Sequence, residues 1–204
     1  MPIFTENSGA AAFAILALAL PFHHAAAYDF FPRHASHASE RTRDQAAPRA
    51  EQIDVRSKVI VAFSPNGQAT AVIVEAIRHA RNQILVQAYS FTSKPILAAL
   101  AQAKERGVDV EVIADKSNNR GRYSGATYME NRGVPVWIDD SVHIAHNKVM
   151  IFDRNSVLTG SFNFSASAQK DNAENILLVE NSPELAAAYI RDWRWRQSLS
   201  TRLR

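Results

Sequence analysis

Residues 146–153 read His146-Asn147-Lys148-Val149-Met150-Ile151-Phe152-Asp153, and Gly160-Ser161-Phe162-Asn163 follows shortly after. The pattern is that of two short β-strands joined by a turn, with polar groups where strands usually bury apolar ones. His146 and Lys148 are two apart, so on a strand they point to one face. Ser161 and Asn163 repeat that spacing on the second strand. If the strands pair, an imidazole, an ammonium, a hydroxyl and an amide converge. Such a patch suits a phosphate: Lys148 supplies charge and donors, Ser161 and Asn163 supply donors, and His146 can attack or transfer a proton. Alone, each is unremarkable: a strand histidine is usually structural, a lysine a solvated charge, an asparagine a turn residue.

The elements that must position these groups are legible upstream. Val59–Phe63 is a continuous apolar strand, expected to be central. Ile73, Ala76, Ile77 and Ala80 follow a helical spacing over 69–81. Ile84–Ser90 is a second strand, 94–106 a second amphipathic helix stopped by Gly107, and 108–114 a third strand. This β-α-β-α-β order implies parallel strands with right-handed crossovers. Residues 116–121 read as a loop, 123–131 as a helix and 134–138 as a strand. The motif then supplies strands at 147–152 and 156–160. An Ala- and Ser-rich connection (164–173), a strand at 176–179 and a helix over 182–199, entered at Ser182-Pro183, complete the chain. The expected fold is α/β, a mixed, largely parallel central sheet flanked by helices on both faces. No internal repeat is present, so the His-Lys pattern occurs once.

The chain has 204 residues, a formal net charge of +3 and no cysteine. That length accommodates one domain and an appendage. Disulfides, cysteine-based zinc sites and thiol nucleophiles are excluded. The basic balance favours polyanionic partners, weakly. Residues 1–27 read as a secretory signal peptide: 10–22 is a small, apolar run too short to span a membrane, and Ala25-Ala26-Ala27 offers a cleavage site. Export to the periplasm or outside the cell is the expectation, although the segment before that run carries Glu6 and no lysine or arginine. Residues 28–54 read as a linker or disordered arm, and 55–204 as the folded domain. His34 and His37, and Asp139, Asp140 and His143, invite a metal reading. The first pair lacks further ligands, and adjacent carboxylates on a strand or turn point apart, so no metal is expected. Arg120 and Arg122, beside Gly121, suit either a backbone grip on nucleic acid or a solvated loop. The arginines from 191 to 204 are what a helix C-terminus attracts in any case. Trp193 and Trp195 cannot share one helix face, so at least one is packing rather than a stacking platform.

His146-x-Lys148-x-x-x-x-Asp153, with Gly160-Ser161, Asn163 and Asn172-Ala173-Glu174-Asn175, resembles the phospholipase D superfamily. Six fixed residue types at roughly 5% each give a chance match on the order of 10⁻⁸ per start position. The likeness spans about residues 57–197 and is closest to the small bacterial endonucleases of that superfamily, which carry one motif per chain. The resemblance implies a catalytic set of His146, Lys148, Glu174, Asn163, Ser161 and Asp153. It implies that His146 forms a covalent phosphohistidine and that a second histidine protonates the leaving group. One motif per chain then implies a homodimer with the site across its two-fold axis. Glu174 is expected to fix the tautomer of His146. Asp153, five residues beyond Lys148, faces the other way on a regular strand, so its expected role is structural. No cofactor is implied.

Three functions follow from these residues. A metal-independent, non-specific endonuclease acting on DNA or RNA fits the charge, the size and the single motif. A lipid hydrolase of the phospholipase D type, acting for example on cardiolipin, requires an apolar membrane-facing surface, and a membrane partner only if the N-terminal segment is retained. A non-catalytic nucleic-acid-binding protein is disfavoured by the intact His146, Lys148 and Asn163.

Overall fold

A computed structural model of the chain describes residues 47–119, 121 and 124–204. The expected signal segment, most of the expected arm, and Arg120 and Arg122 lie outside the described residues. Residues 47–56 form no regular element, and β1 (Lys58–Ser64) opens the sheet. There follow α1 (Ala69–His79), β2 (Gln83–Ala88), α2 (Lys94–Glu105), β3 (Asp109–Asp115), α3 (Lys116–Asn119), α4 (Gly125–Glu130) and β4 (Val136–Asp139). Then come β5 (Lys148–Phe152), β6 (Ser156–Gly160), α5 (Ala166–Lys170), β7 (Glu174–Glu180), α6 (Pro183–Leu199) and β8 (Thr201–Arg202).

One eight-stranded sheet runs in the order β1-β7-β6-β5-β2-β3-β4-β8. The α/β class and the mixed sheet are those expected. The four strands β1 to β4 do share one direction, as helical crossovers demand. Only β2–β3 and β3–β4 pair in parallel, however; the other five pairings are antiparallel. The hairpin β5–β6 and strand β7 slot between β1 and β2, so the largely parallel expectation holds for strand direction and fails for pairing. β1 is an edge strand, not a central one. Its Val59, Val61 and Phe63 are exposed, while Ala62 and Ser64 point into the core.

Helices cover both faces. Ile73 and Ile77 of α1, Ile96 and Leu100 of α2, and Met129 of α4 pack on Ile84, Val86, Val110, Val112, Met150, Leu158 and Ile176. On the other face, Ala186 and Trp193 of α6 pack on Leu85, Ile113, Val149, Ile151 and Val157. Trp193 is fully buried and donates its indole N–H to the Val86 carbonyl at 3.0 Å, so it is core rather than a stacking platform. The C-terminal arginines are likewise engaged within the fold. Arg191 pairs with Glu51, Arg194 with Glu111 and Arg196 with Asp139, while Arg202 lies over the Trp137 ring.

The β5–β6 hairpin turns through Asp153 and Arg154, both at positive φ (53° and 56°), and closes with Asn155 N–H on the Phe152 carbonyl at 2.9 Å. Two left-handed residues in succession make a type I′ turn, whose twist matches that of the flanking strands. Asn155 is a third loop residue, and the strands resume at Phe152↔Ser156 in the register Ile151↔Val157 and Met150↔Leu158.

Candidate active site

Lys148 begins β5 where β2 ends, paired with Ala88. Its side chain falls on the face of Met150 and Phe152 and is 6% exposed. Its ammonium donates to the carbonyl of His146 at 2.7 Å, which leaves further N–H donors for a ligand. Burial pushes the Lys148 amine below its ordinary value, and the negative charge of Glu174 partly offsets that. The ring of Tyr89, one residue past β2, lies beside both groups. Its centroid is 4.6 Å from the His146 ring and 5.1 Å from the Lys148 nitrogen. His146 itself is exposed, in the loop before β5. Tyr89 thus backs a solvent-facing imidazole and a buried cation at one end of the sheet.

The loop that carries His146 is held at four points. Ser141 donates its backbone N–H (3.1 Å) and hydroxyl (2.7 Å) to Asp139 at the end of β4. Lys116 donates to the Val142 carbonyl at 3.0 Å. Ala145 N–H, next to His146, donates to Asp115 at the end of β3, at 2.7 Å. Tyr89 N–H donates to the Asn147 carbonyl at 3.0 Å. Asp115 and Asp139 are register partners on parallel strands, and both are 1% exposed. Arg196 of α6 reaches the far oxygen of Asp139. Burial alone would raise the Asp115 carboxyl. Hydrogen bonds from Ser117 and Ala145, with the charge of Lys116, outweigh that and hold it below the usual carboxylate value.

These loop anchors were not among the expected site residues. A signal for them does exist: Asp115-Lys116-Ser117 and Asp139-Asp140-Ser141 both spell Asp-x-Ser at a strand end, the spacing of an Asx turn. Asp139, once a metal candidate, is occupied by Ser141 and Arg196. Among the described residues no cluster of three or more His, Asp or Glu could hold a metal ion.

The second half of the pattern arrives over β6 and β7. Gly160 closes β6 against β7; a Cβ there would lie 2.2 Å from the Asn175 carbonyl oxygen, so only glycine fits. Ser161 follows, exposed, and its hydroxyl accepts from Asn175 N–H at 3.1 Å. Asn163 is half-buried, and its side-chain oxygen is buried without a partner among the described residues. Unsatisfied polar atoms of this kind are rare in native folds and gather at functional sites. Glu174 opens β7; its carboxylate accepts from Asn172 at 3.0 Å and its field acts on Lys148. The His146 ring packs on the Tyr89 ring, and among the described residues no hydrogen bond joins it to Glu174. Asp153 sits at the opposite end of β5 from His146. Its carboxylate accepts from the backbone N–H groups of Arg81, Asn82 and Gln83, at 2.7 to 3.2 Å. It anchors the turn between α1 and β2, at the end of β5 away from Lys148, in keeping with the structural role expected of it.

Residues 73–195 match the family model described as cardiolipin synthase, PLD-like domain. A "Phospholipase D" of Rickettsia bellii is 41% identical over 143 residues, covering 70% of this chain and 71% of that one. The chain belongs to the phospholipase D superfamily. It is therefore a phosphodiester hydrolase by family. Nuc of Salmonella typhimurium, a phospholipase D family member of known structure, is 38% identical. It superposes with a TM-score of 0.69 over 73% of this chain and 99% of its own. A mitochondrial cardiolipin hydrolase of Mus musculus is 28% identical over 110 residues, about half of each chain. Members of the phospholipase D superfamily thus resemble this chain over the sheet and both flanking layers.

Proposed function

We propose that this chain is a metal-independent endonuclease with little sequence preference, acting through a phosphohistidine in a site completed by a second copy. The observation that carries it is the junction of His146 and Lys148 at the mouth of the sheet. An exposed imidazole stands beside a buried cation, both backed by Tyr89, and the pair occurs once per chain. A ring nitrogen of His146 attacks phosphorus and the bond to the leaving oxygen breaks. A protonated histidine supplied by the second copy gives its proton to that oxygen. Water then attacks the N–P bond and returns a phosphate monoester. Lys148 stabilises the charge that develops on the non-bridging oxygens, and Ser161 and Asn163 add donors. Glu174 orients an imidazole in the closed complex, where such bonds tighten.

A histidine cannot act on both faces of an in-line displacement, which is the reason for a second copy. Val59, Val61, Phe63 and Leu177 form an exposed apolar strip on β1 and β7, beside α6, that climbs towards the site. Such a strip supports a self-association face. The likeness to Nuc over nearly its whole length and the net charge of +3 support nucleic acid as substrate. Among the described residues no base-reading module is evident, and backbone contacts alone give non-specific cleavage.

The test is one preparation assayed against DNA, RNA and cardiolipin vesicles in excess EDTA. Cleavage of nucleic acid in EDTA is the expected result. Turnover of lipid alone would move the assignment to the lipid reading, which the cardiolipin hydrolase likeness favours. Loss of all activity in EDTA would refute the metal-free mechanism.

A further inference from the structure

A cleft of about 410 Å³ opens at the same end of the sheet, next to Asn163. Its walls include Thr70 of α1, Thr92 and Ser93 before α2, Lys94 at the start of α2, and Ser165 and Lys170 of α5, with no carboxylate among the lining residues. Lys94 and Lys170 are exposed and form no ion pair among the described residues, unlike Lys58, which is neutralised by Glu180. The Thr70 hydroxyl is buried in the wall without a hydrogen-bond partner among the described residues. Ser93, although an N-cap residue, makes no capping bond with its hydroxyl. The cleft thus gathers two cations without an ion pair and the hydroxyls of Thr70 and Ser93, while the Ser165 hydroxyl caps α5 by accepting from Ala168 N–H. That is the chemistry of a site for a phosphate, bound by charge and by hydrogen bonds.

The cleft is tied to the catalytic end through the segment 163–165 that follows β6. Thr92 N–H and Ser93 N–H both donate to the Phe164 carbonyl at 2.8 Å, and Ser165 N–H donates to the Asn163 carbonyl at 2.7 Å. Ser165 is two residues past Asn163, at most about 7 Å along the chain. The cleft therefore opens beside the segment that carries Asn163 towards the catalytic end.

We propose that this cleft is a second phosphate subsite, which grips the backbone of a nucleic-acid substrate beside the cleaved bond. The proposal rests on the nucleic-acid reading above. In that reading His146 and Lys148 do the chemistry, while Lys94 and Lys170 set how firmly a long chain is held.

The test compares the wild type with the double variant Lys94→Gln/Lys170→Gln on a single-stranded 20-mer and on bis(4-nitrophenyl) phosphate, which is too small to reach the cleft. The variant should show a KM about tenfold higher on the 20-mer, kcat within twofold, and unchanged cleavage of the small diester. Its log–log salt dependence of kcat/KM should be shallower by about 1.4, for two lost contacts to a single strand. Lys104→Gln, at the other end of α2, controls for bulk charge and should change neither. An unchanged KM and salt slope on the 20-mer would overturn the subsite. An equal fall on both substrates would overturn it too, by placing the lysines in the chemistry or the fold. Whether the wild type cuts the 20-mer at all tests the nucleic-acid reading separately; if it cuts only the small diester or lipid, that reading fails first.

Discussion

The backbone N–H of Ala145 donates to the carboxylate of Asp115 at 2.7 Å, across thirty residues of sequence. One buried acid at the end of β3 thereby fixes the residue that precedes the exposed imidazole of His146. Asp115→Asn replaces an acceptor facing three donors with an amide. Stability should fall by about 1–3 kcal/mol. Turnover of a small diester should fall by up to about a hundredfold, because an error of about 1 Å at His146 is enough. The pH dependence has a definite sign. The Asp115 carboxyl is held below its ordinary 3.8, so its contribution is complete above that value and is lost as pH falls through the lowered one. The gap between wild type and variant in urea midpoints should therefore narrow at acid pH. A constant gap would show that the carboxylate charge is irrelevant.

Lys148 gives the opposite limb. Burial lowers its amine from the ordinary 10.5, so kcat/KM should begin to fall with rising pH before 10.5 is reached. In stability terms the buried charge is a cost at lower pH, relieved as pH rises from the lowered value to 10.5. Lys148→Arg keeps its charge throughout and should flatten the alkaline limb, at reduced activity from altered geometry. An alkaline limb shared by wild type and variant would assign it to another group.

Asp153→Ala should separate scaffold from chemistry. It strips the acceptor from three backbone N–H groups at the α1–β2 turn, and about 1–3 kcal/mol of stability should go with it. Well below the melting temperature, kcat should stay within about twofold of wild type. A variant that melts normally but does not turn over would put Asp153 in the reaction after all.

Gly160→Ala should be among the most damaging single changes near the site. The added methyl would meet the Asn175 carbonyl at 2.2 Å and Ile176 Cα at 2.9 Å, both backbone. β6 must then part from β7, and Ser161 moves with it. A loss of about 1–3 kcal/mol in thermal unfolding and a parallel loss of diester cleavage are expected.

The sequence carried the hairpin, the helices and the His-Lys spacing because each is a local pattern of two to four residues. It misplaced β1 for a physical reason. Val59–Phe63 is apolar on both faces, which reads as burial on both, yet Val61 and Phe63 are more than half exposed. Periodicity registers which residues are apolar, not what covers them. α5 lay hidden in an Ala- and Ser-rich connection, and β8 is two residues long. Within the site, Asp115 stayed out of sight because its partner is thirty positions away. Asp153 drew notice through its place in the motif, although its work is done at residues 81–83.

The pairing of β1 with β7 also sets a timetable. Lys58 meets Glu180 and Ser64 meets Glu174, so the first strand of the described residues to leave the ribosome has its neighbour made only after β2 to β6. At 5–20 residues per second, about 6–24 s separate the synthesis of the two. Until then the nascent chain holds His146 and Lys148 without Glu174 or the β7 backbone that seats Ser161. Assembly of the whole polar patch therefore waits on β7.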